Sequence, residues 1–257
     1  MGSYLGRHAD YYDTIYAEKD YAGEATFVHA CLQKYRRGET RRLLELACGT
    51  GNHSFPLARL GYDILATDYS EDMLAQAQKK LAGKDLTLTF RKADMRALDV
   101  PEGGFDAALC LFDSIGYVQT NEAIGKALAG VRAALRPGGL FVMEFWHAPA
   151  MLKSFDPLRI KRYAVPGGEL LRISETTLEP EKSLAHVAYT LYDLQTNGTY
   201  TRLQETQTNR YFLRGEMDLW LTTHGFAPLA YFNGYADDKN VSDETWHIVV
   251  VARREAA

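Results

Sequence analysis

At 257 residues with 46% of them hydrophobic, the chain can bury one sizeable core, and it suits a single α/β domain with an insertion better than two independent domains. Its 29 basic and 33 acidic residues are mixed along the chain for a formal charge of −4, so no basic face or tail recommends a nucleic-acid partner, and a small-molecule role is favoured. No stretch approaches the roughly 18 apolar residues of a membrane span, and "MGSYLGRHADYYDTIY" lacks an apolar signal-peptide core, so a cytoplasmic location without a membrane partner is expected.

In chain order, the first feature is a tyrosine-rich stretch, "HADYYDTIYAEKDYAGEA", in which Tyr12 and Tyr16 are four apart and share one helical face. "RLLELAC" then predicts a strand that runs through Gly49 and Gly51 into a helix carrying Phe55, Leu57, Ala58 and Leu60, stopped by Gly61. "YDILATDYS" predicts a second strand, and "SEDMLAQAQKKLAG" a helix capped by Ser70 and ended by Gly83. "LTLTFRKADM" and "FDAALCLFDSI" read as strands three and four. "NEAIGKALAGVRAAL" reads as a helix capped by Asn121, and "LFVMEFW" as a fifth strand entered through a Pro137-Gly138-Gly139 turn. After Trp146 some 65 residues, up to Leu213, predict antiparallel β structure, with a hairpin signal at Asn197-Gly198 and further turns at Pro166-Gly167-Gly168 and Pro180-Glu181. "RGEMDLWLTTHGF" returns to helix, and "PLAYFNGY" and "TWHIVVVARR" supply two last strands. The fold class is therefore α/β: a Rossmann-like, mostly parallel seven-stranded sheet with helices on both faces and an antiparallel β insertion after the fifth strand. The expected division is an N-terminal helical lid over 1–40, a cofactor-binding core over 41–149 and 214–257, and the insertion over 150–213. Cys31, Cys48 and Cys110 have no metal-ligand spacing and read as reduced core thiols, so no metal is expected.

The glycine turn alone leaves two ligands open. Gly49-Thr50-Gly51-Asn52-His53-Ser54 is close to the dinucleotide pattern, with Asp68 near the distance for a ribose-binding acid, and a sulfonium cofactor would use the same features. An NAD(P)-dependent oxidoreductase is thus the rival class. The neighbouring motifs favour the other cofactor. "LELACGTG", "TDYSEDML", "KADMRAL" and "LRPGGLFVMEFW", in that order and spacing, resemble the class I S-adenosylmethionine-dependent methyltransferases, although Ala47 replaces the first glycine of their pattern.

That resemblance implies S-adenosylmethionine as cofactor. It implies that Glu45 orients the methionyl end beside Ala47, Gly49 and Gly51, that Asp68 holds the ribose, and that Asp94 and Met95 frame the adenine. Phe112 would close the side near the sulfonium, with Tyr16, Tyr69 and Met73 as further cofactor contacts. The stretches "YDTIY…KDYAGEA", "LFDSIGYVQTNEAIGKAL" and "LRPGGLFVMEFWHAPAM" are similar to N-methyltransferases of nucleotide-linked amino sugars, which implies a small polar acceptor and a homodimer. An O- or N-methyltransferase of another small metabolite is the alternative. Strand alternation sets Glu144 and Trp146 on one face at the carboxyl edge of the sheet, with His147 opening the next loop. His147, Glu144 and Tyr12 are the candidate catalytic groups, and Tyr11, Tyr117 and Trp146 the candidate acceptor contacts.

Overall fold

The computed structural model describes residues 7–255. Residues 1–6 of the expected lid lie outside the described residues. The chain opens with two helices, α1 (Arg7–Ile15) and α2 (Tyr21–Tyr35), the second capped by the Asp20 carboxylate, which accepts from Gly23 N–H.

Five strands alternate with helices from there: β1 (Arg42–Leu46), α3 (Ser54–Arg59), β2 (Asp63–Asp68), α4 (Glu71–Leu81), β3 (Leu88–Lys92), β4 (Phe105–Cys110), α5 (Asn121–Ala134) and β5 (Leu135–Trp146). Ser70 caps α4 as expected, whereas the cap of α5 is Thr120, whose hydroxyl accepts from Ala123 N–H; Asn121 is already the first helical residue. The strand starting at Phe105 ends at Cys110, earlier than its apolar run suggests, because Phe112 and Asp113 turn left-handed. β5 begins before the Pro137-Gly138-Gly139 stretch, since Leu135 already pairs with Phe105 across an irregular register.

A short helix, α6 (Ala148–Ser154), opens the segment read as all β, with Pro149 in its first turn, where a missing N–H is harmless. The antiparallel meander follows: β6 (Leu158–Val165), β7 (Gly168–Glu179), β8 (Leu184–Gln195) and β9 (Tyr200–Arg210). Gly198 has φ +86° in the tight β8–β9 turn. The chain closes with α7 (Arg214–Thr223), β10 (Phe226–Asn233) and β11 (His247–Arg254).

The main sheet has the order β10-β11-β5-β4-β1-β2-β3, with β11 alone reversed. One face packs α2, α3 and α4 on residues such as Leu43, Val142 and Val249; the other packs α5 and α7 on Leu44, Phe141 and Val250. β1 and β4 are covered on both faces and are almost wholly apolar, as parallel central strands must be. Besides Arg42 and Asp106 near the strand starts, the charged residue is Glu45, which is buried and directs attention to the carboxyl end of this sheet. Among the described residues no helix is long and apolar enough to cross a membrane. All three cysteines are buried thiols.

Candidate functional site

A cavity opens where β1, β2 and β4 end, at the position where ligands of open α/β sheets bind. Asp68, the last residue of β2, accepts from Gly49 N–H through Oδ2 and from Ser70 N–H through Oδ1, both at 2.8 Å. Its carboxyl group is pushed up by burial and pulled back by those backbone donors. Gly49 has φ +57°, and a Cβ there would stand 3.2 Å from Met73 Cε. Ala47 shares the left-handed region at φ +50°, where an alanine is strained by about 1–2 kcal/mol. Glu45 is 2% exposed; Ser54 Oγ donates to its Oε2 at 2.5 Å, and burial raises its pKa. Tyr69, Asp94 and Met95 form the far wall, with Asp94 forked by the Arg96 guanidinium, which holds its carboxyl below the usual range.

The N-terminal helices roof this cavity. Asp13 accepts from Thr50 Oγ1 at 2.6 Å, Asn52 Nδ2 at 3.0 Å and Lys80 Nζ at 2.8 Å, tying α1 to the glycine turn and to α4. Burial opposes ionisation of Asp13, but the Lys80 ammonium and the other donors outweigh it and hold its pKa down. Tyr12 lies in the roof, and burial raises its phenol well above the ordinary value, so it is a neutral hydrogen-bonding group at neutral pH.

A second cavity adjoins the first. Phe112 and Tyr117 line both, so the two meet there. Its other lining residues include Tyr16, Asp113, Trp146 and His247, with Arg159 and Lys161 on β6 and Arg172 on β7. Tyr117 reaches Gln207 Oε1 at 2.9 Å and so links the turn after β4 to β9. Gly116, in the same turn, is required by packing, because a Cβ would stand 2.7 Å from the Arg210 carbonyl oxygen.

Residues 43–139 match the methyltransferase domain family. Over 192 residues the chain is 35% identical to the dTDP-3-amino-3,4,6-trideoxy-alpha-D-glucopyranose N,N-dimethyltransferase of Streptomyces venezuelae, covering 72% of this chain and 76% of that relative. The chain belongs to the S-adenosylmethionine-dependent methyltransferases. Its fold is similar to that of an S-adenosylmethionine-dependent methyltransferase from Clostridium acetobutylicum (TM-score 0.83, 21% identity, 96% of this chain and 97% of that one). It is also similar to Streptomyces venezuelae DesVI (TM-score 0.80, 26% identity, 97% and 98%). A nicotinamide oxidoreductase is thereby set aside.

The residues of the first cavity fit the methyltransferase cofactor. A buried carboxylate at Glu45 suits an ammonium, the acceptor oxygens of Asp68 suit ribose hydroxyls, and the faces of Tyr69 and Met95 suit a purine. Of the residues expected at the cofactor, Glu45, Ala47, Gly49, Asp68, Tyr69, Met73, Asp94, Met95 and Phe112 line this cavity, as does Tyr12, expected as a catalytic group. Gly51 does not; its φ of +80° and its approach to Phe90 and Phe55, where a Cβ would stand 2.7 Å from Phe90 Cζ, make it a packing glycine. Tyr16 lies in the second cavity, packed between Tyr12, tilted against it, and Phe112, edge-on to it, at ring distances of 4.8 and 5.2 Å.

Among the expected acceptor contacts, Trp146 and Tyr117 line the second cavity. Tyr11 lines neither and donates to Asp193 Oδ2 at 2.6 Å, joining α1 to β8. His147 also lines neither cavity: it is 6% exposed, its Nδ1 is 3.1 Å from the Thr245 carbonyl oxygen, and burial lowers its pKa. Glu144 sits beneath the surface of the site, accepting from Phe112 N–H at 2.6 Å and from the Tyr235 hydroxyl at 2.5 Å. His247 was invisible as a site residue because the signal in "TWHIVVVARR" is that of a strand. Only the antiparallel register, which sets His247 opposite Trp146, brings it to the cavity.

Proposed function

We propose that this methyltransferase methylates the amine nitrogen of a small acceptor that carries an anionic group at a distance, a nucleotide-linked amino sugar. The observation that carries this reading is the polarity of the second cavity. Asp113 stands next to the junction with the cofactor cavity, whereas Arg159, Lys161 and Arg172 gather on the strands of the second sheet. Burial raises the Asp113 pKa to about 6, which leaves a carboxylate at neutral pH whose negative charge favours an amine at that end. The guanidinium and ammonium groups of these two strands, with Arg159 paired to Asp156 and Arg172 packed on Tyr16, outnumber the nearby acid and suit a diphosphate. The name of the Streptomyces venezuelae relative, an N,N-dimethyltransferase of a dTDP-linked amino sugar, supports the same class.

When bound, S-adenosylmethionine supplies a methyl group already activated by its sulfonium. The chain's own residues then have to align the nucleophile, exclude water and accept a hydrogen bond from the nitrogen. In this reading Tyr12 roofs the junction, Phe112 and Tyr117 narrow it, Trp146 walls the acceptor side, and Glu144 fixes the turn that carries Phe112. Residues 150–213 serve acceptor binding and pairing of two chains in the cytoplasm. The edge strand β6, with Leu158 and Ile160 more than half exposed, supports a homodimer through that sheet.

The deciding assay follows methyl transfer to dTDP-linked amino sugars, glycine, aromatic amines and phenols. Turnover of the nucleotide sugars, with KM raised by Arg172→Ala, is expected. Methylation confined to phenols or carboxylates would overturn the N-methyl assignment.

A further inference from the structure

The turn after β4 holds two consecutive non-glycine residues in the left-handed region, Phe112 at φ +56° and Asp113 at φ +55°. Such backbone persists only where its surroundings over-determine it. Here Glu144 does so, by accepting Phe112 N–H through Oε2. What the turn delivers is the Asp113 carboxylate, whose Oδ2 lies 2.9 Å from His247 Nδ1; Glu144 Oε1 lies 3.1 Å from the same nitrogen. Two buried carboxylates therefore converge on one ring nitrogen. If that nitrogen lost its proton, two anions would face each other without a counter-charge, so the ring is held as an imidazolium.

His247 differs from its two partners in exposure. Its side chain is 43% exposed, whereas those of Asp113 and Glu144 are 5% and 3% exposed. It lines the acceptor cavity with Trp146 and Asp113, the latter being the residue after Phe112, which lines both cavities. With Nδ1 engaged, the polar atom it has left for a ligand is Nε2, and on an imidazolium that atom is a donor without a lone pair. It is therefore unable to take a proton from an amine, but it is suited to bind an oxygen. The two carboxylates leave the triad with a formal charge of −1, so this donor does not repel a cationic cofactor or an ammonium.

We propose that His247 is an acceptor-binding residue that donates a hydrogen bond to a hydroxyl oxygen on the carbon next to the one bearing the reacting nitrogen, and that the preferred acceptor is accordingly an amino alcohol and not a simple amine. This rests on the amine reading above and adds the second group that the site recognises. Glu144, and Tyr235 behind it, act as positioning residues by holding the ring and the turn.

The experiment compares two acceptors with the full chain, wild type and His247→Gln. One is dTDP-3-amino-3,4,6-trideoxyglucose, which has a hydroxyl next to its amine, and the other is dTDP-4-amino-2,3,4,6-tetradeoxyglucose, which has none. His247→Gln removes the counter-charge of the triad for both acceptors alike, so the expected result is a difference: kcat/KM for the first falls about tenfold or more relative to the second, chiefly through KM. S-adenosylhomocysteine binding should be unchanged. Equal losses on both acceptors, or none on either, would overturn the inference while the amine reading stands. Failure of the wild type to methylate either sugar would overturn that reading, and this inference with it. If His247→Gln does not fold, the ¹⁵N resonance of wild-type His247 Nε2 gives the answer: it should shift on adding the hydroxylated sugar to the S-adenosylhomocysteine complex and stay put with the other. Identical shifts would refute the assignment.

Discussion

Asp68→Asn separates the two tasks that the geometry gives to one carboxylate. Both oxygens of Asp68 already accept a backbone N–H, from Gly49 and from Ser70, at 2.8 Å each. An asparagine has a single acceptor oxygen, so one of those N–H groups would face an amide NH₂ and lose its bond. With the residue half-buried, the loss of folding stability is set at about 1–1.5 kcal/mol, the low end for an unsatisfied donor, which lowers Tm by roughly 2–5 °C in a chain of this size. Cofactor binding is affected separately. Ribose hydroxyls donating to a charged carboxylate contribute about 1.5–3 kcal/mol, so the Kd for S-adenosylhomocysteine should rise roughly 10- to 150-fold. Calorimetric titration, paired with thermal unfolding of the ligand-free protein, measures both. A variant with the lowered Tm but a Kd within about twofold of wild type would show that Asp68 only braces the glycine turn, and the ribose assignment would fall.

Gly51→Ala should cost about 2–4 kcal/mol in urea unfolding, because the added Cβ meets Phe90 Cζ at 2.7 Å at a φ of +80°; a loss under 1 kcal/mol would mean the Phe90 ring moves aside freely. Ala47→Gly relieves a left-handed alanine while loosening the unfolded chain, so stability should stay level or rise by up to about 1 kcal/mol, and a clear fall in Tm would contradict the strain assigned there. The His247 pKa is raised to about 11, first by the Asp113 charge, so its contribution is complete below the unfolded value near 6.5 and is lost as pH climbs through the folded one. Unfolding free energy should therefore fall between pH 7 and 9.5, and less steeply in His247→Gln; parallel slopes would contradict the triad. Pairing through the second sheet should bury more than about 1,000 Å², and light scattering at micromolar concentration should give twice the chain mass, a monomer ruling this out.

The sequence by itself determined the α/β core and most of the cofactor cavity. Those features are local: an apolar run, a glycine turn and a helix cap lie within a few residues of one another, and the carboxylate that ends β2 falls at the turn wherever a parallel sheet forms. Asp68 and Gly49 could be read for that reason, as could the Asn197-Gly198 hairpin, whose backbone requirement is written in two residues. Side-chain direction at the ends of elements was not local. His147 and His247 are both histidines at the rim of β5 and β11, and nothing in their neighbours distinguishes them. Antiparallel pairing sets His247 opposite Trp146 and toward two buried carboxylates, one in the turn after β4 and one on β5, while His147 turns to a backbone carbonyl 98 residues away in sequence. Gly51 and Tyr16 were decided in the same way, one by the rings of Phe90 and Phe55 and the other by the second cavity. Local backbone chemistry specifies where a chain turns. Which charges meet across that turn depends on strand register and packing, and those exist only once the whole sheet has formed.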